Sequence, residues 1–178
     1  RDFGAGAPHW LAPAEAAEVS NFQQLPEFLV EMRGRPIDVA TVSIHNRRQR
    51  LLIADMDSTM IQQECIDEMG VVAGVGDRIK DITIRAMRGE LDFDGALRQR
   101  VSLLKGLDAA IIDRLVAERI TLMPGGKTLI ATMKADGAYT ALVSGGFKQF
   151  TARNGALLGF DENSANDLIL RPGRLTGE

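Results

Sequence analysis

The sequence predicts an α/β fold: a parallel sheet with a helical domain inserted between two of its strands. Leu51-Leu52-Ile53-Ala54 is an apolar run without alternation, the pattern of a strand buried on both faces. A second such run, Tyr139 to Val143, lies far downstream. The stretch between them, residues 61–123, carries helical periodicity almost throughout. Two parallel strands joined by a long crossover follow from these observations.

The first strand runs directly into Asp55-Met56-Asp57-Ser58-Thr59. Open α/β sheets bind ligands at the carboxyl ends of their strands, so both aspartates fall where a ligand is expected. Residues two apart on an extended chain project to one side, which lets both carboxylates face one substrate. One can attack as an anion while the other donates a proton to the leaving oxygen. Two solvated aspartates at a strand end are the plainer alternative. Ser58 and Thr59 are suited to cap a helix that starts at about Met60.

Composition bounds the class. With 178 residues the chain can form one domain, or a core domain with a small insertion. A net charge of -3 and a pI near 5.5 carry no nucleic-acid footprint. Cys65 is the only cysteine, so no internal disulfide forms and a reducing cytoplasm is expected. No apolar stretch is long enough to cross a bilayer, and no signal-peptide pattern opens the chain. The start at Arg1 suggests a processed or trimmed chain.

Residues 1–49 read as a lead-in segment or linker. Pro13 with Glu15 and Glu18 suggests a short helix, and Leu25 to Met32 another, stopped by Gly34 and Pro36. Asp38 to Ile44, rich in Val, Ile and Thr, suggests a strand. Trp10 and Leu11 are the only residues here that point to association, as a homodimer. From residue 50 onward the sheet core begins, with the helical insertion at about 61–123. Ile61, Cys65 and Met69 recur at helical spacing. Asp94 is placed to cap a helix carrying Leu97, Val101 and Leu104, and Asp108 one carrying Ile112, Leu115, Val116 and Ile120. Pro124-Gly125 opens a helix to Ala135, closed by Asp136-Gly137, and residues 145–158 contain another. Residues 160–178 read as a small antiparallel hairpin around Pro172-Gly173.

Asp55-Met56-Asp57-Ser58-Thr59 resembles the first motif of the haloacid-dehalogenase-like phosphatases, and Val143-Ser144-Gly145-Gly146-Phe147 the second. Glu64-Cys65-Ile66-Asp67-Glu68 and Leu97-Arg98-Gln99-Arg100-Val101-Ser102-Leu103-Leu104 resemble the phosphoserine-phosphatase branch. The resemblance spans residues 47–177 in the family's order. It implies a Rossmannoid parallel sheet, here in part, with an inserted helical cap, and hydrolysis of O-phospho-L-serine with Mg²⁺ as cofactor. Asp55 would be the nucleophile that forms a phospho-aspartyl intermediate, and Asp57 the general acid and then base. Asp55 and Asp57 would also hold the metal. Ser144 and Gly145 would bind the phosphoryl group, Glu64 the substrate ammonium and Arg100 its carboxylate. Met87 and Phe93 would close over the substrate.

The residues themselves leave alternatives. Arg100 next to an apolar stripe needs an anion, which is either a ligand carboxylate or Asp92 or Asp94 of the cap. Glu64 on its own is a solvated helix carboxylate. Gly126-Lys127-Thr128 is a helix start and no phosphate loop, since Thr121 stands where that motif needs glycine. His9 and His45 have no partner at metal spacing. A lysine and a Gly-Asp-Gly-x-x-Asp loop that the family places later are not found; Lys127, Lys134, Lys148, Asp161 and Asp167 sit in other contexts. The expectation is a phosphatase front part with an open sheet flank and little turnover of its own. The other readings are a phosphatase of the same fold acting on a different small phosphoester, or a non-catalytic phosphate-binding fragment.

Overall fold

The structure, a computed structural model, describes residues 4–45 and 48–178. The start at Arg1 and the point at residue 47 where the resemblance begins lie outside them. The chain divides into two compact units, one up to residue 47 and one from residue 48.

The first unit holds a two-stranded antiparallel ribbon, β1 (His9–Ala12) and β2 (Ala16–Glu18), and helix α1 (Leu25–Met32). The short helix expected at Pro13 is a turn instead. Proline presets φ for a turn's second position, Ala14 takes φ 59° at the third, and Glu15 N–H closes on Ala12 O at 3.1 Å. Trp10 and Leu11 are exposed on this ribbon. Helix α1 begins with Pro26 in its first turn and buries no side chain. The strand expected over residues 38–44 does not form, because β propensity needs a paired neighbour and none lies alongside.

The second unit is built on a sheet of three strands, β3 (Leu51–Ala54), β4 (Tyr139–Phe147) and β5 (Glu162–Asn166), in the order β3-β4-β5. Both pairings are parallel, with Leu51 opposite Tyr139 and Ala54 opposite Leu142. Helices α6 (Gly126–Ala135) and α7 (Lys148–Leu158) pack against one face, burying Leu142, Ile130 and Phe150 completely. The other face is open: Leu51 is 53% exposed and Ile53 60%. Burial of β3 on both faces, inferred from its unbroken apolar run, is therefore corrected to burial on one. No described helix covers the side where Leu51, Ile53, Tyr139 and Val143 lie. A second correction concerns residues 162–166, read as part of a hairpin, which form the third parallel strand. The carboxylate of Asp161 fixes its start by accepting from Thr140 N–H and Thr140 Oγ1–H, both at 2.9 Å, and by pairing with Lys134.

Between β3 and α6 stand four helices, α2 (Cys65–Val72), α3 (Gly76–Met87), α4 (Phe93–Ser102) and α5 (Ala110–Glu118), the inserted cap. The Asp92 carboxylate, rather than that of Asp94, caps α4 by accepting from Gly95 N–H at 2.7 Å. The chain enters and leaves the cap through a short antiparallel tie. Ile61 bridges Leu122, Gln62 N–H donates to Thr121 O, and Met123 N–H donates to Met60 O, each bond 2.9 Å. The Gln63 side chain adds Oε1 as acceptor from Thr121 N–H at 2.8 Å. A hairpin of β6 (Leu170–Arg171) and β7 (Arg174–Leu175) follows the sheet. It reaches back to the loop before α5: Gly106 N–H donates to Leu175 O, Ala109 N–H to Gly173 O, and Leu175 N–H to Leu107 O.

Truncating fully buried Leu142 to alanine is expected to cost about 2–5 kcal/mol in urea unfolding, whereas Ile53→Ala on the open face costs less than about 1 kcal/mol. Asp161 supplies a second check. The Lys134 ammonium and the Thr140 donors hold its carboxyl below the usual range, so the unfolded chain binds this proton more tightly than the folded one. The stabilisation is present above the unfolded value of about 4 and fades as pH falls through the lower folded value. Asp161→Asn should accordingly flatten the acid limb of the stability curve.

Candidate active site

Pairing of Ala54 with Leu142 sets the carboxyl ends of β3 and β4 side by side. Asp55 follows the first, and Ser144, Gly145 and Gly146 finish the second. The chain then turns sharply, because Met56 O accepts from the N–H groups of Thr59, Met60 and Ile61 at 3.2, 2.9 and 3.1 Å. Met56 itself is fully buried, so the aspartates on either side of it stand on the opposite, accessible side. The helix expected from Met60 begins only at Cys65; Ser58 does not cap it but sits in the turn with φ 54°. From there Ser58 Oγ–H donates to Glu64 Oε1 at 2.6 Å.

The two aspartates differ in surroundings. Asp55 is exposed, with Oδ1 accepting from Met56 N–H at 2.7 Å. Asp57 is half-buried, and its Oδ1 accepts from Cys65 N–H at 3.0 Å at the start of α2. Burial raises the Asp57 carboxyl above its ordinary value, the charges of Glu64 and Asp55 raise it further, and the hydrogen bonds from Cys65 offset part of this. Environment thus separates two chemically identical groups, one open to solvent and one half-buried that holds its proton more tightly than an ordinary carboxyl.

Glycine is required opposite them. A Cβ on residue 146 would stand 2.8 Å from Asp57 Oδ2 and 3.1 Å from Ser144 Oγ. Ser144 Oγ accepts from Gly146 N–H at 2.9 Å, which folds the strand end over the aspartates. A Cβ on residue 145 would meet Phe93 Cζ at 3.2 Å, so Gly145 lets the cap approach the core. Asn166, at the end of β5, holds this segment by donating from Nδ2 to Gly145 O at 2.9 Å.

Cap and core enclose a cavity of about 210 Å³. Asp55, Asp57, Glu64, Phe93, Arg100, Ser144 and Gly145 all line it, so seven of the eight residues singled out in the sequence meet in one place. Met87 does not: it lies 85% exposed at the end of α3 and is not among the lining residues. Ile66, Leu97, Gly146 and Phe147 also line the cavity. Of these Gly146 and Phe147 belong to the second motif, and Leu97 had a signal in its place in an apolar stripe ending at the site. Asn166 had none, since a polar residue after a short strand is unremarkable in sequence. Arg100 makes no ion pair with Asp92 or Asp94; it donates from Nε to Ala96 O at 3.3 Å and from Nη1 to Thr83 Oγ1 at 3.4 Å.

A divalent cation at this site would need hard oxygen donors, and Asp55 and Asp57 are of that kind. Among the described residues, however, no three His, Cys, Asp or Glu groups converge to hold a metal ion. The donor set fits such an ion in kind and only in part in number.

Paired aspartates at a strand end, a glycine-lined second strand end and a helical cap define a hydrolase of the haloacid-dehalogenase type, and residues 52–178 match the haloacid dehalogenase-like hydrolase family. The chain belongs to that family. Over 144 residues it is 47% identical to a phosphoserine phosphatase of Streptomyces coelicolor, covering 81% of this chain and 35% of that protein. It is 46% identical over 147 residues to a phosphoserine phosphatase of Archaeoglobus fulgidus, covering 83% and 42%. A solved substrate-bound phosphoserine phosphatase complex superposes with a TM-score of 0.68 at 39% identity, covering 75% of this chain and 63% of that one. A phospho-aspartyl intermediate analogue of phosphoserine phosphatase superposes with a TM-score of 0.67 at 40% identity, covering 74% and 62%. The chain thus spans between about a third and a half of the length of these curated relatives.

Gly146→Ala should displace the Asp57 carboxylate by crowding Oδ2, weakening inorganic phosphate binding by about tenfold or more in calorimetric titration. The melting temperature is expected to stay within a few degrees, because residue 146 ends a strand and lies at the cavity wall.

Proposed function

We propose that this chain carries the nucleophile and the substrate pocket of a phosphatase for O-phospho-L-serine. The observation that supports this best is the convergence of Asp55, Asp57, Glu64 and Arg100 on one cavity. Glu64 offers a counter-charge to an ammonium and Arg100 one to a carboxylate, while Ser144 and Gly145 offer donors to phosphoryl oxygens beside Asp55 and Asp57, a set that suits an amino-acid phosphoester.

In this reading Asp55 Oδ1 is held by Met56 N–H, which leaves Oδ2 to attack phosphorus. The bond from phosphorus to the serine oxygen breaks as Asp57 gives its proton to that oxygen, and a phospho-Asp55 remains. Asp57, now an anion, takes a proton from a water that attacks phosphorus, and phosphate leaves with Asp55 regenerated. The raised proton affinity of Asp57 suits both halves, since the group must hold a proton in one and release it in the other. Ser144 Oγ–H and Gly145 N–H bind the phosphoryl oxygens, the Gly146 N–H being given to Ser144 Oγ, and Phe93 and Leu97 keep water from the remainder of the pocket. Mg²⁺ is the cation proposed, held by Asp55 and Asp57; when bound it neutralises charge on the phosphate. The reaction would be the last step of making serine, in the cytoplasm. Among the described residues no helix is long and apolar enough to cross a membrane.

With only two carboxylates to hold a cation, turnover by this chain is expected to be slow but specific. Phosphate release from O-phospho-L-serine in Mg²⁺ buffer should exceed that from O-phosphoethanolamine, which lacks the carboxylate, and should vanish in Asp55→Asn. Arg100→Ala should erase the preference by raising KM for phosphoserine alone, by roughly tenfold or more. Release that survives Asp55→Asn, or equal release from both compounds, would count against the reading. A phosphatase of the same fold for another small phosphoester would be indicated by the second result.

A further inference from the structure

We propose that Thr83 is a positioning residue for the Arg100 guanidinium and thereby sets the preference for a ligand bearing a carboxylate. The inference rests on the reading of the cavity just given. Thr83 stands on α3, does not line the cavity, and lies on the helix packed against α4, which carries Arg100. Its hydroxyl proton is committed: Oγ1–H donates to Ile79 O, one turn back, at 3.0 Å. With the proton so directed, the oxygen presents its remaining lone pairs to Arg100 Nη1 at 3.4 Å. Arg100 Nε–H is meanwhile occupied by Ala96 O at 3.3 Å.

Two contacts from two helices fix the plane of the guanidinium. With Nε on one acceptor and one Nη1 proton on another, the edge formed by the second Nη1 proton and Nη2 is the bidentate face left for a ligand. No described carboxylate forms an ion pair with Arg100, although Asp67 lies within its field. The identity of the acceptor matters. An aspartate at position 83 would neutralise Arg100 and compete with the ligand for it. A neutral hydroxyl orients the fork and leaves its charge unspent. A long, flexible side chain held beforehand also loses less freedom when it grips a ligand.

The test uses the 178-residue chain and calorimetric titration in Mg²⁺ buffer with O-phospho-L-serine and O-phosphoethanolamine, which share phosphate and ammonium. Thr83→Val keeps the shape and removes the acceptor; Thr83→Ala removes it with a better helix former; Thr83→Ser retains it. Valine and alanine are each expected to weaken phosphoserine binding about three- to tenfold with phosphoethanolamine unchanged, and serine to stay within about twofold of the parent. An unchanged affinity ratio in valine and alanine, or equal weakening of both ligands, overturns the role of Thr83 while the pocket assignment stands. A parent protein that binds the two ligands equally overturns the pocket assignment and this inference with it.

Discussion

Four residue pairings between parallel strands, Leu51 with Tyr139 through Ala54 with Leu142, hold the rest of the second unit in place. They join segments separated by the entire cap, so the chain closes a long loop to make them. Loop-closure entropy grows only slowly with length, which is why a four-helix insertion is tolerated between neighbouring strands. In return, the register decides which side chains meet. A slip of one residue would turn Asp55 and Asp57 into the core and Met56 into the cavity. Burial of Leu142, Ile130 and Phe150 under α6 and α7 opposes such a slip, and the geometry of the cavity is thereby tied to a fully buried part of the core.

The cap meets this frame at a few close approaches that depend on small residues. A side chain at residue 145 would push the Phe93 ring outward by a few tenths of an ångström, and one at residue 146 would displace the Asp57 carboxylate. The same economy separates the two carboxyls: Asp57 is driven toward its protonated form by the closeness of the cap, while Asp55, at the mouth, is not enclosed. The difference in surroundings between Asp55 and Asp57 is therefore made by tertiary packing, although both residues come from one five-residue motif.

Much of this was legible in the sequence because it depends on local pattern. Unbroken apolar runs marked β3 and the start of β4, helical spacing marked the cap, and glycine or proline placed the limits of α1 and α6. The misreadings have a common cause in neighbours that the sequence does not name. Leu51 and Ile53 look like core residues, yet whether a strand is covered on both faces depends on which helices lie above it. Residues 162–166 are polar enough to read as a hairpin, and they become a strand because Asp161 anchors them to Thr140. Pro13 fits a helix start as well as a turn, and a ribbon partner decides for the turn. Asp92 and Asp94 are both acceptable caps; the chain direction into α4 selects the former. At the site, residue types signalled the chemistry, but the orientation of Arg100 and the distance of Met87 from the cavity depend on how α3 and α4 cross.

The hairpin at Leu170 to Leu175 has a mechanical meaning. The two segments that connect cap and core are tied to each other at Ile61–Leu122, and the cap is held a second time where Gly106, Leu107 and Ala109 pair with the hairpin. A body pinned along one edge swings like a door; a body pinned at two separate places keeps only rotation about the line that joins them. Phe93, at the rim of the cavity and 59% exposed, stands on the cap between these two attachments in sequence, so a single element carries both the wall of the cavity and the strain of any displacement of the cap.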